Sequence, residues 1–138
     1  MKKILLLVLA VVLLYAATNH KFLLAMAYLY DSDINNDAKA VKLLKDATHN
    51  DRDRKSAFLL GYYYKTKKFK ILNSKESHNY YLIAANMGDK EAKMLVAWNF
   101  YKGIGCIRSH KRAKELLTEL AISGNDKAKE ILKFVVRN

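Results

Sequence analysis

Apolar positions recur at helical spacing from about His20 to the end of the chain, and the pattern repeats. Between Ala92 and Gly124, residues Val96, Ala97 and Phe100 lie one turn apart on one predicted helix. Gly103-Ile104-Gly105 interrupts it, and Ala113, Leu116, Leu117, Leu120 and Ala121 form the apolar stripe of a second helix. Gly124 closes that helix, and the pattern restarts at Ala128. A hairpin this short cannot bury both apolar faces alone, so it has to stack on copies of itself.

The copies recur every 36 residues: Leu24, Leu60, Val96 and Leu132; Ala25, Gly61 and Ala97; Tyr28, Tyr64 and Phe100; Ser56, Ala92 and Ala128. In the second helices Ser77 matches Ala113, Ala84 matches Leu120, Ala85 matches Ala121 and Gly88 matches Gly124. In the first copy Ala40, Ala47 and Asp51 stand 37 residues before their partners, which implies a shorter turn and a loop, Asp51–Lys55, longer by one. Asp37 is the expected cap of that copy's second helix, after a turn from Asp31 to Asn36. Asn73 or Ser74 serves in copy two, where Lys67 and Phe69 replace the glycines of the turn and give it another shape.

The expected fold is therefore all-α: an α/α solenoid of about three helical hairpins, residues 20–55, 56–91 and 92–127, with a C-terminal capping helix at 128–137. Lys129, Glu130 and Lys133 of that cap face water, where a further repeat would otherwise dock. Small residues at Ala25, Gly61 and Ala97 mark where a neighbouring helix presses on the backbone.

An N-terminal signal or anchor helix at 1–18 precedes the repeat domain, 19–138. Met1-Lys2-Lys3 is a short basic head, Ile4 to Ala17 is uncharged, and Thr18-Asn19-His20-Lys21 turns polar, the layout of a secretory signal. The apolar run falls short of the roughly 20 residues that span a bilayer. Cleavage after Thr18 leaves Ala16 and Thr18 at the small positions, an imperfect site, so an uncleaved inner-membrane anchor is the alternative. The protein is expected to be exported: periplasmic or secreted, or tethered by this segment.

Composition changes the picture in two places. The 138 residues carry a net charge of +12, and about +10 remains once Lys2 and Lys3 are set aside, which favours acidic partners. Cys106 is the single cysteine, so no intramolecular disulfide can form. Its plain reading is a small buried hydrophobe, against a reactive thiol or a disulfide-linked dimer.

Taken together, these marks resemble the Sel1-like repeat family, relatives of the tetratricopeptide repeats. Copy three carries the pattern as Ala92, Val96-Ala97, Phe100, Gly103-x-Gly105-Cys106, Ser109, Arg112-Ala113, Leu120-Ala121 and Gly124. Copy two carries Leu60-Gly61, Tyr64, Ala84-Ala85 and Gly88, and departs from it at Lys67 and Phe69; copy one is the most degenerate. The resemblance runs from about residue 20 to the end. It implies a scaffold or adaptor that binds a protein or peptide, often at membranes or in the bacterial envelope.

By analogy with such solenoids, the first helices line a concave face. Its candidate partner-binding residues are Phe22 and Met26 (with Leu29) in copy one, Phe58, Tyr62 and Lys65 in copy two, and Met94, Trp98 and Tyr101 in copy three. Each set is spaced i, i+4, i+7 and so forms one stripe. Tyr62 and Trp98 are one period apart and are expected to be neighbours. The same residues also suit ordinary core filling between layers.

No catalytic, cofactor or metal site is expected. His20, His49, His78 and His110 share no repeat phase and form no HExxH motif. Glu115 and Glu119, with Lys111 one turn earlier, are a solvated face with an ion pair. Some secreted Sel1-like relatives described as β-lactamases or penicillin binders carry paired cysteines, which this chain lacks. A cell-wall-directed hydrolase and an immunity or assembly accessory protein stand as alternatives to the scaffold. Lysines from Lys65 to Lys75 with interleaved tyrosines would suit nucleic acid, but the export signal argues against it.

Overall fold

The computed structural model describes residues 7, 9, 20–30, 34–66 and 73–137, and every regular element among them is α-helical. Residues 20–30 form α1. It is followed by α2 (Ile34–His49), α3 (Arg54–Lys65), α4 (Ser74–Asn86), α5 (Lys90–Lys102), α6 (His110–Ile122) and α7 (Asp126–Arg137). The signal or anchor expected at 1–18 lies outside the described residues apart from Leu7 and Leu9, as does the copy-two turn with Lys67 and Phe69. Among the described residues, no helix is long and apolar enough to cross a membrane.

The chain divides into two compact units, Met1–Ser56 and Ala57–Asn138. In the first, Ala25, Ala40, Leu44 and Ala47 are fully buried. Lys21 of α1 bridges Asp46 and, at 2.8 Å, Asp51. Of the expected turn from Asp31 to Asn36, residues 31–33 lie outside the described residues and 34–36 belong to α2. α2 starts at Ile34, so Asp37 is not the cap but lies in the first helical turn, where its negative charge suits the helix dipole.

The second unit has one continuous core. Ala57, Tyr81, Ala84, Ala85, Ala92, Val96, Ala97 and Phe100 join Ala113, Leu117, Leu120, Ala128 and Val135 in it. Successive helices pack in order, α4 on α5, α5 on α6 and α6 on α7. α3 meets α4 through the buried Ser77 hydroxyl, which donates to the Gly61 carbonyl at 2.7 Å. The Phe58 and Tyr81 rings add an edge-on contact at 5.4 Å.

The period is visible in the joints as well as the core. The side chains of Asp53, Asp89 and Asn125 accept from the backbone N–H of Ser56, Ala92 and Ala128, at 3.1, 2.9 and 3.0 Å. These three residues stand 36 apart and cap α3, α5 and α7, each satisfying a donor that the first helical turn leaves unpaired. Just before each cap the chain turns left-handed, at Arg52 (φ 53°), Gly88 (φ 89°) and Gly124 (φ 89°). The counterpart of Gly88 is therefore Arg52, not Asp51. The extra residue of copy one falls between Ala47 and Arg52, before the turn rather than after it. The same backbone bond closes all three joints, from Asp53, Asp89 and Asn125 to the carbonyls of Ala47, Ala84 and Leu120 at 3.0 Å each.

Candidate functional site

The first helices of successive hairpins in the second unit carry aromatic residues at one repeat position: Tyr62 on α3, Trp98 on α5 and Phe134 on α7, 36 residues apart. Trp98 and Phe134 are ring neighbours, with centroids 6.4 Å apart. Tyr101 completes a cluster, 5.6 Å from Trp98 and 6.0 Å from Phe134, and the His110 imidazole stacks on it at 4.9 Å. Lys102 places its ammonium 5.2 Å from the Trp98 ring centre and 5.1 Å from that of Tyr101. Such contacts are worth about 0.5–1 kcal/mol each when exposed, enough to hold the cation at the rim of the rings.

These rings are not sealed. Tyr62 is 51% exposed and Phe134 48%, and Trp98 is half-buried. The other candidates divide by position along their helices. Phe58 and Met94, one turn before the ladder, pack against the core. One turn after it, Lys65 is exposed and Tyr101 is buried, at 8% exposure. Phe22, Met26 and Leu29 are half-buried on α1, within the first unit. Phe134 is absent from the sequence-based candidates, although its spacing from Trp98 is the same as that of Trp98 from Tyr62. The signal was there. It was hidden because residues 128–137 read as a cap rather than as the first helix of a fourth copy.

Other polar groups take structural parts. Glu119, on the solvated face of α6, also pairs with Lys93 of α5 at 2.6 Å, a bond between helices. His78 is buried at 4% exposure, edge-on to Phe100 at 5.0 Å and 3.4 Å from the Asn99 amide, and burial lowers its pKa. Cys106 is partly buried against the core; burial pushes its thiol pKa up, and Arg112 opposes this only in part. The thiol is thus held away from the reactive thiolate form. Among the described residues, no group of three His, Cys, Asp or Glu side chains is placed to hold a metal ion.

The same succession of helices occurs in solved structures. A Sel1 repeat protein from Oxalobacter formigenes matches with a TM-score of 0.70 at 26% identity, over 90% of this chain and 97% of that one. The chain has the Sel1-like repeat fold. A protective antigen present in uropathogenic Escherichia coli strains, displaying an SLR fold, matches with a TM-score of 0.74 at 22% identity. That match covers 86% of this chain but 25% of the antigen, so the chain spans about a quarter of its length. No family model and no curated protein matches the sequence. The Sel1-like small positions now have a physical cause: Ala97 is fully buried where helices meet, and the Tyr81 ring lies against Gly61. The Sel1-like turn of copy three, Gly103 to Gly105, passes against the start of α4, where a side chain on Gly105 would run into the Ser74 carbonyl.

Proposed function

We propose that this Sel1-like repeat protein is an exported or membrane-tethered scaffold that holds another protein or peptide against its aromatic ladder. The observation that carries the reading is the ladder itself: Trp98 and Phe134 in ring contact and Tyr62 at the same repeat position one period earlier, all partly open to solvent, with Lys102 over Trp98 and Tyr101. Rigid rings offer contact area at little entropic cost, and a cation at their edge selects for acidic segments. The excess of basic residues, +12 net, favours the same partners. Export rests on the leader, whose basic head and uncharged run Ile4 to Ala17 form a signal or a tether. The reading includes no catalytic step.

Affinity capture from a bacterial envelope extract tests it, with the natural chain beside Trp98→Ala and Tyr62→Ala. Both variants are expected to lose the captured protein while their far-ultraviolet helicity stays unchanged. Unfolding of Trp98→Ala would make that ring a core residue. Undiminished capture by Tyr62→Ala would remove the ladder as the binding face.

A further inference from the structure

A second surface of the second unit has the form of a helix seat. The groove between α6 and α7 measures about 450 Å³ and is lined by Ala121, Leu132 and Val136, with Lys129, Lys133 and Arg137 along it. One period earlier, the places of the three apolar residues belong to Ala85, Val96 and Phe100. Those residues are at most 8% exposed and share a core with Ala113, Leu117 and Leu120 of α6, the helix laid against α5. On α7 the counterpart of Phe100, Val136, is 56% exposed.

The charges follow the same period. Lys129 is the counterpart of Lys93, and Lys93 reaches Glu119 of α6 at 2.6 Å. Lys129 instead turns back to Asp126 on its own helix, at 2.8 Å. A helix lying on α7 as α6 lies on α5 would bring its own carboxylate to Lys129, and Lys133 and Arg137 extend the positive border. A second copy offering its own α6 is disfavoured, because Ala113, Leu117 and Leu120 are already buried in that copy's core and Lys111, Arg112 and Lys114 outnumber Glu115 and Glu119.

We propose that this groove binds an acidic amphipathic helix: an alanine and leucine face set on Ala121, Leu132 and Val136, and a glutamate on Lys129. The site is separate from the aromatic ladder. Phe134 and Val136 are two residues apart on α7, which turns them about 200° from each other.

Fluorescence anisotropy on the full chain tests the proposal with two labelled synthetic peptides. Both keep the apolar positions of α6, Ala113, Leu116, Leu117, Leu120 and Ala121; one carries glutamate and the other lysine at the remaining surface positions. The glutamate peptide is expected to bind and the lysine peptide not. Val136→Asp should weaken binding roughly tenfold or more, since it sets a carboxylate in the apolar seat and against the acidic ligand. Lys129→Glu should weaken the glutamate peptide and admit the lysine peptide. As Lys129 is a surface residue, that exchange reads charge pairing rather than folding. Trp98→Ala should leave peptide binding unchanged, so failure of the ladder and failure of this groove are told apart. Absence of binding, equal binding of both peptides, or indifference to Val136→Asp in a folded variant would overturn the proposal. So would concentration-dependent self-association that displaces the peptide, which would make a second copy the occupant.

Discussion

The Tyr81 ring occupies the space that a side chain at position 61 would need. A Cβ built on Gly61 lies 2.6 Å from Cδ1 of Tyr81 and 2.9 Å from its Cγ, deep in the ring rather than at its tip. Helix propensity alone favours alanine over glycine by about 1 kcal/mol. Overpacking costs about 1–3 kcal/mol and wins here, because Tyr81 is 2% exposed and has nowhere to move. Gly61→Ala should therefore destabilise the protein by about 1–2 kcal/mol in urea titration. Adding Tyr81→Leu should make the Gly61→Ala step less costly than it is alone, which a double-mutant cycle reads directly.

Arg52 holds a left-handed backbone where the next two joints use Gly88 and Gly124. A residue with a side chain loses about 1–2 kcal/mol there, and glycine returns part of that gain as entropy of the unfolded chain. Arg52→Gly should raise stability by about 0.5–1 kcal/mol. The caps beside these turns give the opposite sign. Asp89→Ala should cost about 1 kcal/mol, since the Ala92 N–H loses its acceptor. Thermal denaturation of the two variants checks both directions.

His78 makes stability depend on pH. Burial lowers its pKa below the ordinary 6.5, so the unfolded chain takes up a proton first as pH falls. The contribution is complete above about 6.5 and is lost as pH drops through that value toward the folded pKa. The midpoint of urea unfolding should accordingly fall between neutral pH and pH 5. His78→Leu should flatten that part of the profile; an unchanged profile would place the titrating group elsewhere.

The Thr48 hydroxyl is buried, at 1% exposure for the residue, and has no hydrogen-bond partner among the described residues. Thr48→Val exchanges it for a methyl group of similar shape. The variant should be about 1 kcal/mol more stable, as an unsatisfied buried hydroxyl is removed at nearly constant volume. A loss of stability would show that the hydroxyl is satisfied in solution.

Much of the second unit was legible before any coordinates. The 36-residue recurrence of Leu60, Val96 and Leu132, and of Gly61 with Ala97, marked the inward faces of α3, α5 and α7. Asn73 is legible as a cap and accepts from the Glu76 backbone N–H, and Ser109 of the repeat pattern caps α6, accepting from the Arg112 N–H. Other caps are not legible in the sequence. Asp53, Asp89 and Asn125 recur at the same period, but acidic and amide residues at a loop also read as solvated polar chain. The side-chain pattern places the copy-one register on Asp51, one residue from the left-handed Arg52, because a backbone angle and not a side chain separates the two.

What the sequence determined by itself is the repeat: its length, its helical faces and the small residues where those faces meet, since burial of an amphipathic stripe demands periodic apolar positions. Tertiary structure alone decided which members of a stripe are core and which are surface. Met94, Trp98 and Tyr101 are one stripe by spacing, yet Met94 packs inward, Tyr101 is buried between His110 and Trp98, and Trp98 stays half open beside Phe134. It also decided that Val136 is exposed where Phe100 is buried. The physical reason is the same in both cases. A periodic sequence specifies what a helix is able to bury, while the amount that it does bury depends on whether a neighbouring helix is there to cover it.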